Sequence, residues 1–186
     1  MTRACCRSVI LVVLCTIAAA SRASAQNVIG DVAGGYSALS SSTGGLPFGW
    51  FGSAGFNFND NFGIAGEVSG NYRSTTDDIT GVTASRHEHS FLAGPRLVLV
   101  ADKQTVYAHF LIGVANASIT SVGTFGRTTI STSTTDTVIC YEPGLGVDLD
   151  MTDNTTFRVE VNFRSLKSNG SVAEFQFIAG VARRFR

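Results

Sequence analysis

Two kinds of joint alternate along this chain, and their order limits the folds open to it. Beyond Gln26 it reads as eight strand-like segments, and the joints between them run long, short, long, short, long, short, long. The short joints are Asp60-Asn61, Ala101-Asp102-Lys103-Gln104 and Thr152-Asp153-Asn154. The long ones, at 40–46, 74–85, 120–135 and 166–171, are rich in Ser, Thr and Gly. An up-and-down meander with tight turns at one end and long loops at the other is the plan of a membrane-spanning β-barrel. A soluble domain has no physical reason to sort its loops in this way.

The first residues supply an address. Arg3 and Arg7 precede an apolar run at 9–20, and Ala23-Ser24-Ala25 stands before Gln26. A basic start, an apolar stretch and a small-x-small site predict a cleaved secretory signal over residues 1–25. The run is shorter than the ~20 residues of a spanning helix, and no later segment reaches ~18 consecutive apolar residues. A chain without such a helix can cross a membrane only as a closed barrel, because every backbone polar group must be satisfied internally.

Removing that leader leaves 161 of the 186 residues, residues 26–186, enough for one domain. Three of the 14 basic residues and none of the 14 acidic ones go with it, so the remaining net charge is −3. A nucleic-acid binder would show a basic excess instead. Cys5, Cys6 and Cys15 also leave, and Cys140 remains alone, without a partner for a disulfide or a cysteine metal cluster. It reads as a small buried residue.

Side chains alternate faces along a strand. In the seventh segment Phe157, Val159, Val161 and Phe163 share one face, and Arg158, Glu160, Asn162 and Arg164 the other. In the eighth, Phe175, Phe177, Ala179 and Val181 oppose Glu174, Gln176, Gly180 and Arg184. The sixth sets Leu145, Val147 and Leu149 against Glu142, Gly144, Gly146 and Asp148. The third sets Phe62, Ile64, Val68 and Tyr72 against Glu67, Ser69 and Asn71. The fourth opposes Phe91, Ala93, Pro95, Leu97 and Leu99 to Ser90, Gly94 and Arg96. The fifth opposes Ala108, Phe110, Ile112 and Val114 to Tyr107, His109, Gly113 and Ala115. The first two segments are glycine-rich and alternate weakly.

Alternation does not say which face is inside, and a soluble, lipocalin-like carrier would turn the Phe/Val stripe inward. Three features favour the reverse. Small residues (Gly94, Gly113, Gly144, Gly146, Gly180) recur on the polar face, where long charged chains in a narrow eight-stranded barrel need room. Aromatics cluster near both strand ends: Tyr36, Trp50, Tyr72, Tyr141 and Phe175 toward the long loops, Phe58, Phe62, Phe157 and Phe185 toward the short turns. Two such girdles mark the interfaces of an outer-membrane barrel. Finally, the polar face carries both signs (Glu67, Arg96, Glu142, Asp148, Arg158, Glu160, Arg164, Glu174 and Arg184), and buried charges must pair. The expected architecture is thus all-β, a closed eight-stranded antiparallel up-and-down transmembrane barrel. Its short turns and both chain ends would face the periplasm and its long loops the outside. So narrow a barrel leaves no wide channel.

Four stretches carry a family resemblance: Asp31-Val32-Ala33-Gly34-Gly35-Tyr36-Ser37, Phe91-Leu92-Ala93-Gly94-Pro95-Arg96, Gly144-Leu145-Gly146-Val147-Asp148, and the closing residues 175–186. Over residues 27–186 the chain resembles the eight-stranded outer-membrane barrels of the outer-membrane protein A and X type. The resemblance implies an outer-membrane location and contact with lipid and lipopolysaccharide. It also implies assembly by the barrel-assembly machinery, which reads a terminal aromatic in family members; here Phe185 is penultimate and Arg186 follows. Members include adhesins, complement-evasion proteins, structural anchors and a few lipid A enzymes. No cofactor is implied.

The one cluster with chemical possibilities is Arg86-His87-Glu88-His89-Ser90, at the outer end of the fourth segment. His87 and His89 share the lipid-facing side, with no third metal ligand evident, and the spacing is not the helical H-E-x-x-H. A His–Ser pair would suit a lipid A hydrolase, but His89 and Ser90 are adjacent and point to opposite faces, whereas catalysis needs them within hydrogen-bond reach. His109 should sit inside the barrel, with Glu160 or Asp148 as possible partners. The expectation is a small non-enzymatic barrel, structural or surface-binding, offering four loops to an extracellular ligand.

Overall fold

The computed structural model describes residues 29–41, 44–78, 81–101, 104–125, 128–167 and 171–185. The expected leader lies outside them. Eight strands follow one another: β1 (Gly30–Ser41), β2 (Phe48–Asn57), β3 (Phe62–Thr76), β4 (Thr83–Ala101), β5 (Gln104–Phe125), β6 (Thr128–Thr152), β7 (Thr155–Lys167) and β8 (Ser171–Phe185). Each pairs antiparallel with the next, and β1 closes on β8 from Gly30↔Phe185 to Ser41↔Glu174, so the sheet is a closed barrel.

The faces resolve the choice that alternation leaves open. Phe157, Val161 and Phe163 are 40%, 52% and 40% exposed, while Arg158, Glu160 and Arg164 between them are 2%, 3% and 0% exposed. The interior is therefore polar and packed, and the apolar face is the outer wall. A lipocalin-like carrier, with its apolar stripe lining a cavity, is excluded by this geometry. The girdle aromatics Tyr36, Trp50, Phe58, Phe62, Phe157, Phe175 and Phe185 all point outward, and Tyr72 and Tyr141 are half-buried among neighbours on the same wall.

The first and third short turns form as expected. At the first, Asn59 Oδ1 accepts the N–H groups of Asn61 (3.0 Å) and Phe62 (2.8 Å), an Asx-type turn that replaces ladder bonds with a side chain. At the third, Thr152 Oγ1 accepts from the Thr155 N–H at 3.1 Å. The tip of the second lies outside the described residues.

The long joints differ from expectation. They are mostly strand: β3 and β4 stay paired to Thr76↔Thr83, β5 and β6 to Phe125↔Thr128, and β7 and β8 to Lys167↔Ser171. In the β5–β6 extension residues 130–137 are all exposed, so no apolar alternation announces it. The threonines nevertheless favour extended backbone, and hydroxyls bond across strands: Ser74–Ser85 at 3.1 Å, Thr76–Thr83 at 3.0 Å, Thr120–Ser133 at 3.2 Å and Thr135–Ser118 at 3.1 Å. The described part of the β1–β2 connection, 44–47, is not a continuation of the ladder. It turns inward and joins Leu46 to Leu39 by two backbone bonds of 2.9 Å, burying both leucines at the outer mouth.

Two further details depart from the sequence reading. Gly94 and Gly113 were expected to make room for charged chains. A Cβ on either would instead strike backbone of the neighbouring strand, at Phe110 and Phe91 respectively, and one on Gly180 would strike Gly34, so these three set strand spacing. Gly144 and Gly146 do make room for side chains, but for His109, Asn162 and Tyr107. The prolines interrupt the ladder: pairing of β4 with β5 skips 94–95, and pairing of β6 with β7 skips 142–143. Pro95 and Pro143 have no N–H to donate.

Candidate functional site: the interior charge network and the outer rim

Inward-pointing residues of all eight strands meet in one polar column. At the turn end Arg158 is its centre. It donates from Nε to Asp148 Oδ1 and from one terminal nitrogen to Asp148 Oδ2 and Asp31 Oδ1, each at 2.8 Å. Asp31 also accepts from Arg96 at 2.6 Å, and Arg96 reaches Asn57 Oδ1 at 2.8 Å. Arg184 completes the group with Asp150 at 2.7 Å and Thr105 at 2.8 Å. The Arg158 guanidinium lies 4.8 Å from the Tyr107 ring centroid, and the Tyr107 hydroxyl donates to Glu160 at 2.8 Å. A bidentate Arg–carboxylate pair shielded from water is the strong form of this interaction. A cavity of about 140 Å³ opens beside it at the turn end, lined by Asp31, Arg96, Thr105, Tyr107, Asp148 and Arg184 among others.

Amides fill the middle. Gln176 donates to Ser37 (3.0 Å), Glu67 (3.3 Å) and Ser69 (3.3 Å), and Asn162 donates to Glu160 (3.3 Å) and Gln176 (3.2 Å). His109 sits between Glu160, at 3.6 Å, and Glu142, at 4.0 Å. Its second carboxylate is thus Glu142, not Asp148. Toward the outer end Arg164 meets Glu142 at 3.0 Å and Glu88 at 3.2 Å, while Arg86 meets Glu174 at 3.3 Å and Glu88 at 3.6 Å. One side of this part of the interior is apolar, with Leu92, Leu111, Ala115, Cys140 and Leu166 packed together. Cys140 is fully buried there.

Glu67, Arg96, Glu142, Asp148, Arg158, Glu160, Arg164, Glu174 and Arg184 are all buried. Sequence reasoning left Asp31 and Glu88 out of this network. Asp31 lies in the glycine-rich first strand, where alternation is faint, although its parity with Ser37 and Leu39 carries the signal. Glu88 shares parity with Ser90 and was visible only as part of the rim cluster.

At that rim the structure separates the His and Ser groups. His87 and His89 face outward and pack edge-on against Tyr72, each with centroids 5.5 Å apart, beside Trp50, whose indole N–H donates to the Tyr72 hydroxyl at 3.1 Å. Ser90 faces inward, is buried, and bonds to Ser69 Oγ at 2.7 Å. The two histidines are therefore members of an aromatic belt, and the serine is a packing residue of the interior. Among the described residues no group of three His, Cys, Asp or Glu is placed to hold a metal.

A model of the outer membrane protein beta-barrel domain family matches residues 8–185. The chain belongs to that family. It is an outer-membrane protein, with the lipid-facing wall and polar interior the family requires. Its fold is similar to that of Ail, the attachment invasion locus protein of Yersinia pestis, solved alone and with the heparin analogue sucrose octasulfate. In the latter comparison identity is 18%, the TM-score is 0.59, and the match covers 84% of this chain and 96% of Ail. Neisserial surface protein A matches with 17% identity and a TM-score of 0.55, over 84% of this chain and 96% of that one. A search of curated proteins found no match.

Proposed function

We propose that this barrel is a non-enzymatic surface protein, exported by its residues 1–25, whose rigid wall holds a projecting β-sheet for binding outside the cell. One observation carries the reading. The β5–β6 hairpin stays paired to Phe125↔Thr128, whereas its neighbours stop at Thr83↔Val122 on one side and Ile139↔Lys167 on the other. A ladder that runs so far beyond its neighbours adds nothing to spanning a bilayer. The buried charge network beneath supports the role of a stiff mount, and a mount positions a binding element better than a loose tether. Burial of Ser90 away from His89 removes the nucleophile–base pair that a lipid A hydrolase would need. Ail has been solved with a polyanion. The projecting strands here carry few charges among the described residues, so an uncharged or protein surface suits them better.

The test is to replace residues 117–136 with Asn-Gly. Asn116 and Thr137 are paired opposites, so a two-residue turn closes between them. The shortened barrel is expected to keep its heat-dependent shift in detergent gel electrophoresis. Cells displaying it should lose adhesion to epithelial monolayers and matrix-coated wells, down to the level of cells without the protein. Adhesion equal to that of the full barrel would overturn the reading, as would no adhesion above background by the full barrel.

A further inference from the structure

The projecting sheet has two edges, and they are treated differently. On the β3 side the extension is short, ending at Thr76, and Arg73 stands there with donors to Gly45 O (3.1 Å) and Thr75 Oγ1 (3.3 Å). On the β6 side, residues 130–138 pair among the described residues with β5 alone, and the pairing with β7 begins at Ile139. Residues 130–137 are all exposed. Proteins blunt such edges with lysine, proline or a bulge, because unpaired N–H and C=O groups recruit another strand. This edge reads Ile-Ser-Thr-Ser-Thr-Thr-Asp-Thr-Val, with no lysine, arginine or proline and one charge, Asp136. Its ladder with β5 shows no register shift.

We propose that this edge is a homophilic docking strand, which pairs antiparallel with the same edge of a second copy standing in a facing outer membrane. The inference rests on the surface-binding reading above and names its partner.

The chemistry of the edge suits its own copy. Set antiparallel about Ser133, Thr132 opposes Thr134, Ser131 opposes Thr135, Ile130 opposes Asp136, and Ser133 opposes itself. No like charges meet, and Thr/Ser pairs are a favourable cross-strand class. The sheet already uses this pairing on the inner side of the same strand, where Ser133 bonds to Thr120 and Thr135 to Ser118. A second Ser/Thr strand continues that hydroxyl pattern, whereas a charged or proline-rich strand would break it. Residue i meeting j while j meets i is the isologous contact of a two-fold dimer, closed and self-limiting.

Direction fixes where the second copy stands. In β6 the chain runs from the outer tip back to the wall in every barrel, so two copies in one membrane present this edge in the same sense. An antiparallel pair needs one of them inverted. The inverted copy belongs to a membrane that faces the first, and residues 130–138, at about 3.3 Å each, give a reach of about 30 Å per partner.

The experiment uses the purified barrel reconstituted into phospholipid vesicles, with two vesicle populations carrying different fluorescent lipids. Co-sedimentation and light scattering report clustering. Wild-type vesicles are expected to cluster with one another and not with protein-free vesicles. Ser133→Lys should abolish clustering, and so should Ser133→Glu, since each sets like charges opposite across the two-fold. Mixing Ser133→Lys vesicles with Ser133→Glu vesicles should restore it. Both variants must show the wild-type gel shift, which is expected of an exposed position. Clustering that survives in both variants, or that fails to return on mixing, overturns the proposal. Wild-type vesicles that do not cluster, in a protein that still adheres to epithelial cells through residues 117–136, overturn self-pairing and leave the surface-binding reading standing.

Discussion

The two halves of the barrel interior are built from the same residue types, yet their accounts balance differently. At the turn end Asp31, Asp148 and Asp150 face Arg96, Arg158 and Arg184, and each carboxylate meets a guanidinium within 2.8 Å. Farther out there are five glutamates, Glu67, Glu88, Glu142, Glu160 and Glu174; among the described residues Arg86 and Arg164 pair with three of them, and His109 sits between Glu142 and Glu160. Both oxygens of Glu88 and of Glu142 are buried without a well-aligned donor. A buried pair is worth most when broken from one side, since the remaining charge is stranded. The turn-end half should therefore behave as a lock, and the outer half as a crowded cluster that loses little when a carboxylate is neutralised.

The largest effect should come from the hub of the lock. Arg158→Ala removes the bidentate partner of Asp148 and one of the two guanidinium partners of Asp31, and is expected to cost about 3–5 kcal/mol. Urea unfolding in detergent micelles, followed by loss of the folded gel band, reads this directly. A cost similar to that of a surface substitution would break the comparison. Next comes packing beneath the same hub. A Cβ at Gly146 would run into the Tyr107 ring, which carries Arg158 on its face, so Gly146→Ala should cost about 1–3 kcal/mol by overpacking. Double-mutant analysis with Tyr107→Leu should recover part of that loss. The smallest effect belongs to the crowded half. Glu67 accepts from Gln176 and is repelled by Glu142 and Glu160, so Glu67→Gln should leave the unfolding midpoint unchanged or raise it. A destabilisation as large as that of Arg158→Ala would show that the outer carboxylates are paired as firmly as the inner ones.

How the sequence announces these features depends on what surrounds each strand. Where a strand has lipid on one side and the packed interior on the other, as at 157–164, period-two alternation is strong, and the facing of Arg158, Glu160 and Arg164 follows from it. Where a strand has water on both sides, as at 130–137, alternation vanishes, and threonines that keep a ladder intact look like loop. The outward aromatics lie on the same parity as the wall. That His87 and His89 share one face and Ser90 takes the other follows from parity; their contacts with Tyr72 depend on the β3–β4 register.

Particular partners were not readable. Arg158 and Asp31 are 127 residues apart in sequence and meet only because closing β1 onto β8 brings them to one level of the lumen. Strand register and barrel stagger set that level, and no local pattern encodes either. By itself, then, the sequence determined an eight-stranded meander, its sorted turns and which side chains face lipid, because these depend on neighbours one or two residues away. The tertiary structure alone decided which charges share a guanidinium, which glycines hold strands apart and which edge of the sheet stays open, because these depend on ring closure across the whole chain.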